Sequence, residues 1–245
     1  MSEVRITAAA DRVEVVLDRP DVRNAISRAM VDELHAVCAE LETDPRILIL
    51  AGSTAAFASG ADIAELRERR AADALAGINA RIFDRIARLP MPVIAAIDGW
   101  TLGGGAELAY AADIRIAGEG LRIGNPETGL GIIAAAGAMW RLPEIVGRSL
   151  ATELLLTGRI LDAAEALAAG LVSRVVPSAE LIATAHELAD RIGRNDPLAT
   201  RMTKSVLAAP REEHPGVDEE AQAVLFESPE KRRRMTEFLQ RRSRP

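Results

Sequence analysis

Apolar positions change period several times along the chain, and each change marks an element. Val13 to Leu17 is a short β-branched run that predicts a strand, and Arg19-Pro20-Asp21 predicts a turn leading to Asn24. Met30, Leu34, Val37 and Leu41 then fall at helical spacing within Ser27 to Leu41. Ile47 to Leu50 and Val93 to Ile97 are continuous apolar runs closed by Ala51-Gly52 and Asp98-Gly99, which suits strands covered on both faces. Between them lie a loop, Ser53 to Gly60, and a helix opened by Asp62 that breaks near Ala71 to Asp73. A second periodic segment runs to Leu89, where Pro90 and Pro92 end it. Gly103, Gly104 and Gly105 precede a small-residue helix of about Ala106 to Ala112. Ile114 to Ala117 and Leu121 to Ile123 predict short strands, and Asn125-Pro126-Glu127 a turn. Helices follow over Gly137 to Val146, Ser149 to Thr157 and Asp162 to Ala169, the last opened by a capping box of Asp162 and Glu165. Val172 to Val176 is the last predicted strand. Beyond Ser178 only helices are predicted, and Asp196-Pro197 and Ser228-Pro229 each place a capping side chain ahead of a proline at the first helical position.

Alternation of strands and helices followed by an all-helical end predicts an α/β core over residues 1–194 and a helical segment over 195–245. At 245 residues, 49% hydrophobic and 27% charged, the chain has the balance of a globular protein able to bury a sizeable core. Aromatics are only 3%, so that core must be aliphatic and platforms for stacking bases are scarce. A net charge of −6 and a pI near 5.3 provide no global positive field for nucleic-acid phosphates. The basic residues Lys231 to Arg234, Arg241, Arg242 and Arg244 read as a solvated helical face. A single cysteine, Cys38, and three scattered histidines, His35, His186 and His214, leave redox, zinc and histidine-triad chemistry without raw material, so no metal site is expected. The longest apolar run, Ile132 to Trp140, is far short of the ~18 residues a spanning helix needs, and the segment from Met1 to Arg5 lacks a secretory pattern. The expectation is a cytoplasmic protein with neither membrane nor nucleic acid as partner.

The three consecutive glycines cannot form a Walker A loop, because no Lys-Ser or Lys-Thr follows. Gly129 to Ala134 fits the dinucleotide string GxGxxA but sits behind Pro126 rather than at the end of a strand, so it is a chance match. Glycines ahead of a helix let backbone approach a ligand while the first helical N–H groups stay unpaired, which favours an anion; a tight strand-to-helix packing turn is the alternative. Gly60, ahead of the next predicted helix start, obeys the same logic. Two such loops can each aim one N–H at a single oxygen. Glu107 lies within one turn of these donors among apolar neighbours, and Glu127 follows Pro126; an exposed helix position and a simple turn cap are their plainer readings.

Five segments, in order, resemble the enoyl-CoA hydratase/isomerase (crotonase) family over essentially the whole chain. They are Arg19 to Ala25, Phe57 to Ile63, Pro92 to Gly99 followed by Leu102 to Leu108, Asn125-Pro126-Glu127, and Arg141-Leu142-Pro143. The resemblance implies a spiral of ββα units with a C-terminal helical segment that mediates homotrimers, commonly paired as dimers of trimers. It implies an acyl-CoA thioester whose oxygen accepts hydrogen bonds from the N–H groups of Ala61 and Gly104, with Glu107 and Glu127 facing the substrate. In that family the reaction of hydratase-like members adds water across a 2,3-double bond, and the only coenzyme is the CoA of the substrate itself. By the same resemblance CoA lies along Val22, Arg23 and the loop Ser59, Gly60, Ala61, Asp62 and Ile63, with Arg23 beside its phosphates. Phe226 and Arg232 match an aromatic and a basic residue with which a neighbouring subunit closes the CoA site.

The chain also departs from the family pattern. Ala134 to Trp140 replaces a Pro-Gly-rich stretch that commonly borders the acyl pocket, which puts Met139 and Trp140 at that pocket; Ala64 stands where lysine is frequent and Asp98 where asparagine is common. The leading reading is a hydratase using both glutamates; the alternatives are a 3,2-enoyl-CoA isomerase using Glu127 alone or another crotonase-type acyl-CoA enzyme, and a catalytically idle acyl-CoA-binding subunit.

Overall fold

The computed structural model describes residues 2–242, and its contacts separate two compact units, Met1–Ala189 and Asp190–Pro245. In the first unit β1 (Val4–Ala8) and β2 (Arg12–Leu17) form an antiparallel hairpin, followed by α1 (Arg28–Thr43). The chain then repeats one construction three times, a strand in each of two sheets and then helix. The first turn is β3 (Ile47–Ala51), β4 (Ala56–Ala58) and the helices α2 (Ile63–Glu68), α3 (Ala71–Ala76) and α4 (Ile78–Ala87). The second is β5 (Val93–Ile97), β6 (Trp100–Leu102) and α5 (Gly104–Tyr110), and the third is β7 (Ile114–Gly118), β8 (Arg122–Gly124), α6 (Ala138–Val146) and α7 (Arg148–Thr157). The strand β9 (Ile160–Asp162), helix α8 (Ala163–Ala168) and strand β10 (Val175–Val176) complete the two sheets. Helix α9 (Leu181–Gly193) contains the division after Ala189, five residues ahead of the boundary drawn from the sequence.

The larger sheet has the order β1-β2-β3-β5-β7-β10 and the smaller β4-β6-β8-β9. The strands β3 and β5 are buried at every position, as continuous Ile-Leu and Val-Ile-Ala runs require when helices cover both faces. Helix α1 buries Met30, Val31, Leu34, Val37, Cys38 and Leu41, and α4 buries Ile82, Phe83 and Ile86. Each such side chain contributes about 1.5–3 kcal/mol by leaving water. Local signals set the helix starts: Ser27 accepts from Met30 N at 3.1 Å, Asp62 from Ala64 N at 3.1 Å, Asp162 and Glu165 form the expected box, and Asp196 accepts from Ala199 N at 2.7 Å.

What positions the site is the smaller sheet. The strands β4, β6 and β8 are adjacent and mutually parallel, so their C-terminal ends emerge on one side at neighbouring spacings of about 4.8 Å. Ala61, Gly104 and Glu127 each lie two or three residues beyond one of those ends.

Several elements depart from the sequence expectation. The strands β1, β4, β6 and β9 were not foreseen: three have only three residues, and in β1 only Val4 is buried, so none displays a period. The segment from Asp62 to Leu89 holds three helices rather than two parted near Ala71 to Asp73; the breaks fall at Arg69-Arg70 and at Gly77, whose φ is +62°. Helix α5 begins two residues earlier than expected, which makes Gly104 its first residue. The last strand shrinks to Val175–Val176, because Val172 is instead buried in the core without pairing.

The second unit holds α10 (Pro197–Leu207), α11 (Gly216–Glu227) and α12 (Pro229–Arg242). In the basic run of α12, Arg233 pairs with Glu230 and Glu237, Arg234 pairs with Glu230, and Lys231 lies 4.9 Å from the Phe226 ring centre, as fits a solvated, self-neutralised face; Arg244 lies outside the described residues. Among the described residues no helix is long and apolar enough to cross a membrane.

Helix α5 is pressed directly onto β4: a Cβ on Gly105 would stand 2.1 Å from the Ala58 carbonyl oxygen. Gly105→Ala should therefore destabilise by about 3 kcal/mol or more, whereas Gly129→Ala, which meets nothing within 4 Å, should stay within about 0.5 kcal/mol of wild type. Urea unfolding of the two variants checks the contrast, and similar midpoints would contradict it.

Candidate active site

A cavity of about 630 Å³ opens at the C-terminal ends of β4 and β6. Its walls include Ser59, Gly60, Ala61 and Ile63 from one loop, Leu102 to Gly104 from another, Glu107, Glu127 and the segment around Ile132 to Ala136.

The Ala61 N–H is aimed by its neighbours. Gly60 O accepts from Ile26 N at 2.8 Å and Asp62 N donates to Ile26 O at 3.0 Å, a parallel bridge that turns the intervening Ala61 N–H the other way. Gly60 adopts φ +119°, a conformation glycine takes without a Cβ penalty. The strand β4 that leads into the loop is held by Asn24, whose Nδ2 donates to Ala56 O at 2.9 Å and Phe57 O at 3.1 Å. The second donor arises from helix geometry, since the first N–H groups of α5 have no carbonyl one turn earlier. Gly103, at φ +51° and ψ −122°, makes the turn into α5 and is anchored by its N–H to Gly124 O at 2.9 Å. Among the described residues no carbonyl accepts the Ala61 or the Gly104 N–H. The two donors face the same space: a Cβ on Gly104 would lie 3.3 Å from Ala61 N.

Both glutamates are buried beside this space. Glu107, only 3% exposed, accepts from Ala136 N at 2.6 Å and Ala138 N at 3.1 Å through one oxygen, Oε1. Burial pushes its carboxyl up to about 7; the Ala138 and Ala136 amides oppose the rise, and the Glu127 charge adds to it. Glu127, 8% exposed, accepts from Asn125 Nδ2 at 3.3 Å through Oε1, while Oε2 has no partner among the described residues. Burial raises this carboxyl as well, against the Asn125 bond. Asn125 is itself oriented by Tyr110, whose hydroxyl donates to Oδ1 at 3.0 Å and so leaves the amide donor for Glu127. Arg141, paired with Asp84 at 3.2 Å, adds a positive charge that favours ionised Glu107.

Of the other residues singled out in the sequence, Ser59, Gly60 and Ile63 line the cavity. The turn at Val22 and Arg23 is stitched to the same loop, with Ser59 N donating to Arg23 O at 3.0 Å and Ser59 Oγ to Val22 O at 3.2 Å. Asp62 is occupied with capping α2 and with Arg19 at 3.2 Å. Met139 and Trp140 are not in the cavity wall: both are exposed on α6, whose buried face is Ala138 and Leu142, and Trp140 packs on Arg141, 5.0 Å from ring centre to guanidinium. Residues 132–136 take that place. Ala64 is exposed on α2, and Asp98 is buried against Gly118 and Gly120, away from the cavity. Phe226 and Arg232 belong to the second unit, where both are exposed.

Sequence reasoning missed Tyr110, Asn79 and the amides of Ala136 and Ala138. Tyr110, the only tyrosine, stands three residues after Glu107, and Asn79 occupies the position that the apolar spacing of Ile82, Phe83 and Ile86 reserves for a hydrophobic residue. Both were legible irregularities. The Ala136 and Ala138 amides carry no sequence signal.

A sequence model of enoyl-CoA hydratase/isomerase matches residues 9–244. The chain belongs to the enoyl-CoA hydratase/isomerase family. It is similar to the short-chain-enoyl-CoA hydratase of Clostridium acetobutylicum, 35% identical over 93% of this chain and 91% of the relative, and to the 2,3-dehydroadipyl-CoA hydratase of Escherichia coli K12, 35% identical over 99% and 98%. The crystal structure of enoyl-CoA hydratase from Bacillus anthracis superposes with a TM-score of 0.93 at 32% identity, covering 98% of this chain and 96% of that one. The twin sheets are thus the crotonase-type spiral that the sequence motifs implied.

A buried carboxyl raised from 4.5 to about 7 binds a proton more tightly folded than unfolded. Between those values the folded state holds more protons, so stability falls as pH rises, by up to about 3 kcal/mol once Glu107 is ionised. Glu107→Gln keeps an acceptor for the two amides and removes that charge. The variant should therefore gain melting temperature over wild type at pH 8.5 and gain little at pH 5; a pH-independent difference would contradict this origin of the shift.

Proposed function

We propose that the chain is a 2-enoyl-CoA hydratase. The observation that carries this reading is the meeting, on one cavity, of two unpaired backbone donors and two buried carboxyls in different environments. The thioester oxygen accepts from Ala61 N–H and Gly104 N–H, and these donors stabilise the charge that develops on that oxygen more than they stabilise the ground state. Glu107 is the base: the amides of Ala136 and Ala138 favour its ionised form. Glu127 is the acid: its unpartnered, buried Oε2 suits a protonated carboxyl facing the substrate. Water attacks C3 as its proton passes to Glu107, the C2=C3 electron pair moves toward C1, and the enolate takes the Glu127 proton at C2. The product is a 3-hydroxyacyl-CoA, and proton exchange resets the pair. No coenzyme beyond the substrate's own CoA takes part. CoA runs past Ser59 to Ile63 toward Val22 and Arg23, where the Arg23 side chain meets its phosphates.

We further propose that the chain assembles as a homotrimer or dimer of trimers. Leu207, Val224, Phe226, Met235, Phe238 and Leu239 of the second unit are large apolar residues left exposed, a surface that association would cover. Phe226 and Arg232 of a neighbour then close the CoA site. We propose the cytoplasm as the place where the chain acts on this small thioester.

The loss of crotonyl-CoA absorbance tests the chemistry. Wild type should hydrate it, and Glu107→Gln and Glu127→Gln should each lower kcat by about 10²- to 10⁴-fold. Gly104→Ala, which places a methyl between the donors, should cost about 10²- to 10³-fold with the fold intact. Hydration indifferent to both glutamate changes would overturn the two-carboxyl mechanism, and thioester binding by wild type without turnover would mark an idle subunit.

The pH profile follows from the same assignment. Activity needs Glu107 ionised, so it should fall as pH drops through about 7, where that carboxyl protonates. An acid limb that persists unchanged in Glu107→Gln would refute the assignment of base.

A further inference from the structure

Asn79 is 8% exposed, is the second residue of α4, and lines the same cavity as the two backbone donors. A buried amide at an otherwise apolar helix position needs its polar atoms satisfied. Its Oδ1 accepts from Arg69 Nη1 at 3.1 Å. Guanidinium groups only donate, so the bond fixes which way the amide is turned: the oxygen faces Arg69 and the NH₂ faces away from it. Arg69 is steadied in turn by Glu65, 3.8 Å from its Nη2. Among the described residues Nδ2 has no acceptor. It lies 3.7 Å from the point that a Gly104 Cβ would occupy, and Ala61 N lies 3.3 Å from the same point. Three N–H donors, two from backbone and one from a side chain, therefore border one small volume, and a side-chain donor that lines the cavity without a protein partner fits an acceptor brought by the ligand.

We propose that Asn79 Nδ2 is a third hydrogen-bond donor to the thioester oxygen, and that Arg69 is the positioning residue that keeps the amide turned toward it. This rests on the acyl-CoA reading of the cavity given above. The role makes two demands. Preorganisation requires that the amide not flip, which the Arg69 bond secures. The donor must also act on the developing enolate, so that its removal is felt in kcat more than in KM.

The test combines spectroscopy with kinetics. Butyryl-CoA labelled with ¹³C at the thioester carbonyl binds without undergoing hydration, and the infrared band of its carbonyl, compared free and bound, reads polarisation directly. Wild type should shift the band to lower wavenumber, and Asn79→Ala should return part of that shift. On crotonyl-CoA the same variant should lose about 10- to 100-fold in kcat with little change in KM, at or below the lower end of the range for a single oxyanion donor. Asn79→Asp keeps the size and the bond to Arg69 but replaces the donor with an oxygen, so it should restore nothing. Arg69→Met should weaken activity in wild type and add no further loss in the Asn79→Ala background, because it acts through the amide. A merely structural Asn79 would leave the carbonyl band of the folded variant where wild type has it, and losses from Arg69→Met and Asn79→Ala that simply add would sink the positioning role. Failure of wild type to bind butyryl-CoA would instead overturn the acyl-CoA reading and this inference with it.

Discussion

A backbone N–H buried without a partner costs roughly 1–3 kcal/mol, so a fold ordinarily arranges to have none. This chain leaves two unpaired at the wall of one cavity, and much of its local structure serves to hold them there. Ala61 is prevented from pairing because the residues on either side are already committed to Ile26. Gly104 cannot pair because a helix has no carbonyl to offer its first residue. Asn24 fastens β4, from which the first loop leaves, to the turn at Val22 and Arg23, and the contact of Gly105 with Ala58 fastens the helix to the same strand. The strand β4 is thus the common anchor for both donors, which is why three residues with no detectable period are indispensable to the site.

The carboxyls follow a related logic with opposite sign. Burying Glu107 and Glu127 beside each other raises both, and a fold concerned only with stability would replace them. What keeps the cost tolerable is an asymmetric environment: two amides on one oxygen of Glu107, a single side-chain amide on Glu127. The asymmetry separates the roles of two chemically identical groups, since a carboxylate held by two amides suits a base and a carboxyl with one oxygen left without a partner suits an acid. Tyr110 acts through Asn125, where its hydroxyl, together with the Gly103 carbonyl that accepts from Nδ2 at 3.5 Å, keeps the amide donor turned toward Glu127.

The long apolar runs at Ile47 and Val93, the helix over Ser27 to Leu41 and the caps at Asp62, Asp162 and Asp196 were legible in the sequence because each is a local signal repeated or anchored by a specific side chain. The glycine loops, Glu107 and Glu127 were legible as chemistry, though their convergence came from resemblance rather than from spacing. The remainder was hidden for definite reasons. Short strands such as β6 and β9 exist because partners exist, not because of their own pattern. Trp140 was placed at the acyl pocket from the neighbourhood of its residues in the sequence, but a helix beginning at Ala138 carries it round to solvent within two positions. The amides that hold Glu107 belong to alanines, whose side chains announce nothing.

The spiral itself explains why residues 61, 104 and 127 meet. Each turn of ββα adds one strand to each sheet, so the exits of β4, β6 and β8 are stacked as regularly as the strands, and whatever follows each exit is brought beside its predecessors. In parallel arrangements the C-terminal strand ends are where ligands gather. Here the division of labour is sharper. Donors and carboxyls come from just beyond the strand ends or the first turn of the helix that follows, and are fixed by the sheet. Much of the rest of the wall, Leu66, Ala71, Ala74 and Ile78, comes from the three short helices of the first turn, interrupted at Arg69-Arg70 and Gly77. Side chains on those helices can change size or polarity without moving the strand exits, so the shape offered to an acyl chain is separable from the machinery that polarises its thioester.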